Sequence, residues 1–255
     1  MHSKKLKEIR EKLLDAFKDL EFNEEEHKYT LRGKQLPSVS SLLENFYEKF
    51  NSIPEAEKYA DKRGFLNNDV SAAWLGENKI ATDKGHKIHN FSEDYANWKY
   101  FGIGERPTPF CKQSLGAVDF WNNLPDYIVP VALELRMYNE ELGYSGTADI
   151  ICCDTRDYSL AILDTKTNKA LVDVDFPQKP LYHLPKDLGL RQDNFGKYSL
   201  QLSFYQIMLE KIGFKVKGRV IIWLDADKEK KKLYKTYQTI NVVPHLLTWL
   251  SQKVS

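Results

Sequence analysis

The sequence predicts an α/β protein, a mixed β-sheet flanked by helices with a mostly helical N-terminal region attached. Three observations carry this. Apolar residues recur at helical spacing in the first hundred positions, later segments switch to short runs of β-branched and aromatic residues, and an amphipathic helix divides those runs. The chain reads as one domain over 1–255, with 1–125 forming one wall of a cleft and 126–255 the sheet core.

Residues 3–19 place Leu6, Ile9, Leu13, Leu14 and Phe17 at helical spacing. Glu21 to Leu31 reads as an extended, hairpin-like stretch turning at Gly33, and Pro37-Ser38 opens a short helix through Leu43. From about Asp69 to Tyr100 a helix is expected, broken near Gly76 and restarted at Thr82 or Asp83, both suitable N-caps. Strands are expected at Val129–Tyr138, Tyr144–Cys153 and Tyr158–Thr167. The short loop from Asp154 to Asp157 makes the last two an antiparallel hairpin. Tyr198–Ile212 is an amphipathic helix ended by Gly213. Val220–Leu224 reads as a buried strand, Leu233–Ile240 as an alternating one, and Val243–Val254 as a closing helix.

Of the 255 residues, 42% are hydrophobic and 29% charged, a balance typical of a globular chain rather than a disordered one. No apolar run is long enough to cross a bilayer. The first twenty residues lack the apolar core of a signal peptide, and Glu8, Glu11, Asp15 and Asp19 argue against a mitochondrial presequence. Three cysteines (Cys111, Cys152, Cys153) are too few for a disulfide framework, so a reducing, cytoplasmic setting is expected. With 37 Lys+Arg against 36 Asp+Glu, the chain is less basic than a passive nucleic-acid binder. A nucleic-acid enzyme remains compatible, because metal sites need local carboxylates.

Asp164 and Lys166 end the apolar run Leu160-Ala161-Ile162-Leu163, and alternation along a strand puts both on one face. Asp149 lies on the preceding strand after Gly146-Thr147-Ala148, where an antiparallel turn brings it beside Asp164. Two carboxylates and an ammonium on one face suit a divalent cation and an activated water. The triplet alone is weak: Glu26–Lys28, Glu77–Lys79 and Glu229–Lys231 repeat it in charged stretches. The plain alternative is a surface hairpin carrying an ion pair of roughly a kilocalorie or less.

The pattern extends further. Tyr144-Ser145-Gly146-Thr147-Ala148-Asp149, Leu163-Asp164-Thr165-Lys166 and the helical segment Lys197 to Tyr205 together resemble the RecB-like branch of the PD-(D/E)XK nucleases, a group that includes phage, CRISPR-associated and mitochondrial genome maintenance exonucleases. Gly85 to Glu93 is similar to that family's Gly-x-x-x-His-x-x-x-Glu motif, and Pro37-Ser38-Val39-Ser40 more loosely resembles its N-terminal region.

The resemblance implies a restriction-endonuclease-like core and a metal-dependent DNA exonuclease acting on single strands or frayed ends. Mg²⁺ or Mn²⁺ would be held by His89, Asp149, Asp164 and the backbone carbonyl of Thr165, with Glu134 serving a second metal. Lys166 would position the attacking water, and Gln201 and Tyr205 would hold Lys166 or a substrate phosphate. In-line attack would leave a 5′-phosphate and a 3′-hydroxyl. Nothing after Cys153 is cysteine, so no iron–sulfur cluster is expected. The chain carries no Walker motif, so motor activity would belong to a helicase or recombination partner.

His86 is the fallback for His89, and Glu93 would orient His89 or form an ordinary surface pair. His27, His183 and His245 read as structural. The basic run Lys228 to Lys232 reads as a solvated turn, and Trp74, Phe91, Tyr95, Trp98, Tyr100, Phe101 and Trp121 as mainly core. The long stretch from Lys169 to Asn194 would gate or guide a strand. Two other readings compete with the nuclease: a nuclease fold kept only for binding DNA or a partner, and a metal-dependent hydrolase with another substrate.

Overall fold

The computed structural model describes residues 2–48, 67–168, 170–172, 179–224 and 233–254, with side chains left out at 2, 67–78 and 254. Lys228–Lys232, the side chain of Trp74 and part of the 169–194 stretch lie outside the described residues.

In chain order come α1 (His2–Ala16), β1 (Leu20–Asn23), β2 (Lys28–Leu31), β3 (Lys34–Leu36), α2 (Val39–Leu43) and a 3₁₀ turn (Glu44–Phe46). α3 (Asn67–Ala96) runs into a π-helical turn (Asn97–Phe101) and is followed by α4 (Lys112–Asn122). Then come β4 (Ile128–Asn139), β5 (Tyr144–Asp154), β6 (Leu160–Lys166), a 3₁₀ turn (Lys186–Leu188), α5 (Asn194–Lys211), β7 (Val216–Leu224), β8 (Tyr234–Gln238) and α6 (Val243–Val254).

The large sheet has the order β4-β5-β6-β7-β8. Only β6 and β7 run parallel. A parallel pair needs a crossover, and α5 supplies it. The fold is therefore mixed α/β, as the alternating patterns predict. β4 is an edge strand, which is why it tolerates Pro130 beside its register shift.

Each face of the sheet is covered by helices. Ile9 and Leu13 of α1, with Phe17 just beyond it, join α2, α5 and α6 on one face, over Leu160 and Ile162. Ile88, Phe91 and Tyr95 of α3, with Phe120 and Trp121 of α4, cover Ile150, Cys152, Leu163 and Ile222. The N-terminal half thus contributes to both faces. Leu14 stays 48% exposed on the outer side of α1.

Two sequence expectations are corrected. α3 does not break at Gly76 but runs unbroken from Asn67 to Ala96. A helical glycine costs only about 1 kcal/mol against alanine, and a break needs more than that. The helix over Lys112–Asn122 was not foreseen; Cys111 caps it, its sulfur accepting from the Ser114 amide. Among the described residues, no helix is long and apolar enough to cross a membrane.

Candidate metal centre

β5 and β6 pair as far as Ile150–Leu163, and the ladder stops one step short of Asp149 and Asp164. The Thr165 amide instead donates to Asp149 Oδ2 at 3.0 Å. The carboxylate thus takes the place of a strand partner, which fixes its direction. On the other side of β5, the pairs Leu133–Ile150 and Leu135–Ala148 bracket Glu134 opposite Asp149. Glu134 has φ of 46°, a left-handed conformation that costs a non-glycine residue about 1–3 kcal/mol. Strain of this size is retained where the surrounding structure over-determines it.

α3 brings the imidazole. His89 Nε2 lies 2.7 Å from Asp149 Oδ2, and Nδ1 lies 3.5 Å from Glu134 Oε1. His86, three residues earlier, is exposed, whereas His89 is partly buried beside Ile88. Glu93 bonds Asn97, and burial raises its pKa. Gly85 brings α3 near the end of β6, where a Cβ would make an ordinary contact with Thr167 Oγ1 at 3.4 Å.

Asp164 is fully buried, with Lys166 Nζ at 2.8 Å from its Oδ2. That approach is electrostatic rather than a well-aligned hydrogen bond. Among the described residues, both oxygens of Asp164, like Glu134 Oε1, lack a hydrogen-bond partner. Buried carboxylate oxygens without hydrogen bonds are costly; Lys166 offsets part of that cost at Asp164, and a bound cation would offset more.

The charges explain the protonation pattern. Burial opposes ionisation of Asp149, but His89, Lys166 and the Thr165 amide hold it well below the usual carboxylate range. Burial, and then the Asp149 charge, push Asp164 up to about 7 and Glu134 up to about 8. Burial disfavours the His89 cation, yet Asp149 and Glu134 outweigh it and raise the group to about 9. Lys166 is likewise raised despite burial, chiefly by Asp164 and Asp149.

His89, Glu134 and Asp149 each offer one ligand atom, all within 4.8 Å of one another. Two carboxylate oxygens and an imidazole suit a divalent cation, and Asp164 stands next to Asp149 with both oxygens unbonded. The residues present therefore fit such an ion.

α5 closes the site, with one feature the sequence reading missed. Gln201 Nε2 donates to Tyr205 OH at 3.1 Å, so the two residues expected to hold Lys166 or a substrate phosphate bond each other. The residue against Lys166 is Tyr198, whose ring centroid lies 4.6 Å from Nζ. Its hydroxyl donates to Asn168 Oδ1 at 2.6 Å, which fixes the ring. The signal was present: Tyr198 is three residues before Gln201 and seven before Tyr205, on one helix face.

Tyr205 packs on β5 at Gly146. A Cβ there would lie 2.8 Å from Tyr205 Cε1 and 3.2 Å from Val39 Cγ2. Gly146→Ala is therefore expected to cost about 1–3 kcal/mol, the range for overpacking a dense core. Urea melts of the variant check this; an unchanged midpoint would show that Tyr205 is not held there.

Comparison of the sequence with protein-family models and with characterised proteins finds no match to either.

Proposed function

We propose that the protein is a Mg²⁺- or Mn²⁺-dependent deoxyribonuclease that trims single-stranded or frayed DNA ends, on a core of the RecB-like PD-(D/E)XK type. One observation carries the reading. Asp149, Asp164 and Lys166 converge where the β5–β6 ladder ends, with His89 and Glu134 brought in by separate elements, around buried carboxylate oxygens that have no hydrogen-bond partner among the described residues. A surface hairpin has no use for a buried carboxylate pair or for a strained glutamate opposite it.

Divalent ions, when bound, supply Lewis acidity and a lowered water pKa. The chain does the rest. Asp149, Glu134 and His89 set the ion's position, and the Thr165 amide keeps Asp149 from rotating. Asp164 and Lys166 together orient a water, the carboxylate accepting a proton from it and the ammonium meeting charge that builds on the phosphate. Tyr198 and Asn168 keep the ammonium aimed.

The test is incubation of end-labelled linear and circular DNA, single- and double-stranded, with Mg²⁺, Mn²⁺ or EDTA. Linear single strands are expected to shorten from an end in either metal, circles to survive, and EDTA to stop the reaction. Tight binding without cleavage in any metal would show a binding module instead. Cleavage that survives both Asp164→Ala and Lys166→Ala would falsify the site.

A further inference from the structure

Between α2 and the first turn of α5 lies a pocket that the metal centre does not use, lined in part by Ser38, Ser40, Ser41, Glu44, Tyr47 and Lys197. Its donors are available. Ser38 Oγ accepts from the Ser41 amide at 3.1 Å, leaving the hydroxyl proton to donate outward. The exposed Lys197 forms no salt bridge among the described residues; Glu44 attracts it only from a distance. Tyr47 is fixed as a wall by its bond to the Asp193 carbonyl at 3.0 Å.

The pocket is built on elements that also carry the site. Ser38 forms a parallel bridge with Ser145, the residue before Gly146, and the Ser145 amide donates to the Pro37 carbonyl at 2.9 Å. Lys197 directly precedes Tyr198, whose ring underlies Lys166. Lys197 is also near enough to Lys166 for the two charges to be felt across the intervening space. An unpaired cation and hydroxyl donors in a concavity beside a phosphodiester-cleaving centre match one further backbone phosphate of the same strand.

We propose that this pocket is a subsite for a neighbouring phosphate of the single strand, held by Lys197 with hydroxyl donors from Ser38 and Ser40, and weakened by Glu44. The assignment of the ligand rests on the nuclease reading, but its test does not depend on cleavage. Binding of a fluorescein-labelled deoxythymidine oligomer is read by anisotropy in Ca²⁺ or EDTA across a salt series. Lys197→Met is expected to weaken binding about five- to tenfold and to lower the slope of log Kd against log salt by about 0.7, the value for one phosphate contact on a single strand. Glu44→Gln is expected to tighten binding about two- to fivefold, since it removes the opposing charge.

Opposite signs in these two exposed positions separate a ligand contact from a loss of fold, which would weaken both. Unchanged affinity and slope in Lys197→Met overturn the subsite, as does a wild type that binds no single strand. Displacement of the oligomer by inorganic phosphate at equal ionic strength would show a free-anion site and overturn the strand assignment. A wild type that binds with the expected slopes yet cleaves in no metal overturns the nuclease reading alone.

Discussion

Lys166→Ala is expected to lower kcat by about 10²–10³-fold, the loss seen when one preorganised charge aimed at a transition state is removed. The same substitution separates the chemistry from the fold. Asp164 is 1% exposed and Lys166 20%, and removing one partner of such a pair costs up to about 3–5 kcal/mol, or about 6–20 °C in Tm at this chain length. The sign with pH follows from Asp164, which sits at about 7 in the folded protein against roughly 3.9 when unfolded. A raised acid stabilises the fold fully below the unfolded value and loses that contribution as pH rises through the folded one. Without the ammonium the folded value climbs further. The variant should therefore melt closer to wild type at pH 6 than at pH 8.5, and saturating Mn²⁺ should narrow the gap at the higher pH. Equal melting deficits at both pH values would mean that Asp164 does not depend on Lys166.

Divalent cation should bind more tightly as pH rises and stabilise the fold. His89 at about 9, Glu134 at about 8 and Asp164 at about 7 all hold protons near neutrality in the metal-free protein. An ion held by His89 and Glu134 must expel their protons, and its charge favours loss of the proton on neighbouring Asp164, so affinity should rise by about tenfold per pH unit for each proton released. Calorimetry in buffers of different ionisation enthalpy counts the protons directly. At a free Mn²⁺ concentration near 100 Kd, the fold should gain about 2.7 kcal/mol, or about 5–10 °C in Tm. Asp149→Asn should abolish the gain, because it removes the acid that faces both His89 and the Thr165 amide. A Tm indifferent to Mn²⁺ in the wild type would remove the ion from this site.

Much of the fold is legible in the sequence. Alternation and apolar runs placed the strands within a few residues, and Val243–Val254 matched to the residue. These features are local: a strand or helix repeats its pattern every two or every 3.6 residues, within reach of a short window. The candidate site was half legible. Asp164 and Lys166 share a strand, so their common face follows from spacing alone. His89 and Asp149, sixty positions apart, could be paired only through a resemblance, since no periodicity links them.

What the sequence by itself determined was most of the succession of elements and the mixed α/β class, because each depends on short-range pattern. Tertiary structure alone decided that Glu134 would turn left-handed opposite Asp149, that the Thr165 amide would hold Asp149 in place of a strand partner, and that Tyr198 rather than Gln201 would lie under Lys166. Each of those outcomes depends on where one element stops against another. Such endpoints are set by packing across the sheet, which buries the helices on both faces and leaves few oxygens without a partner.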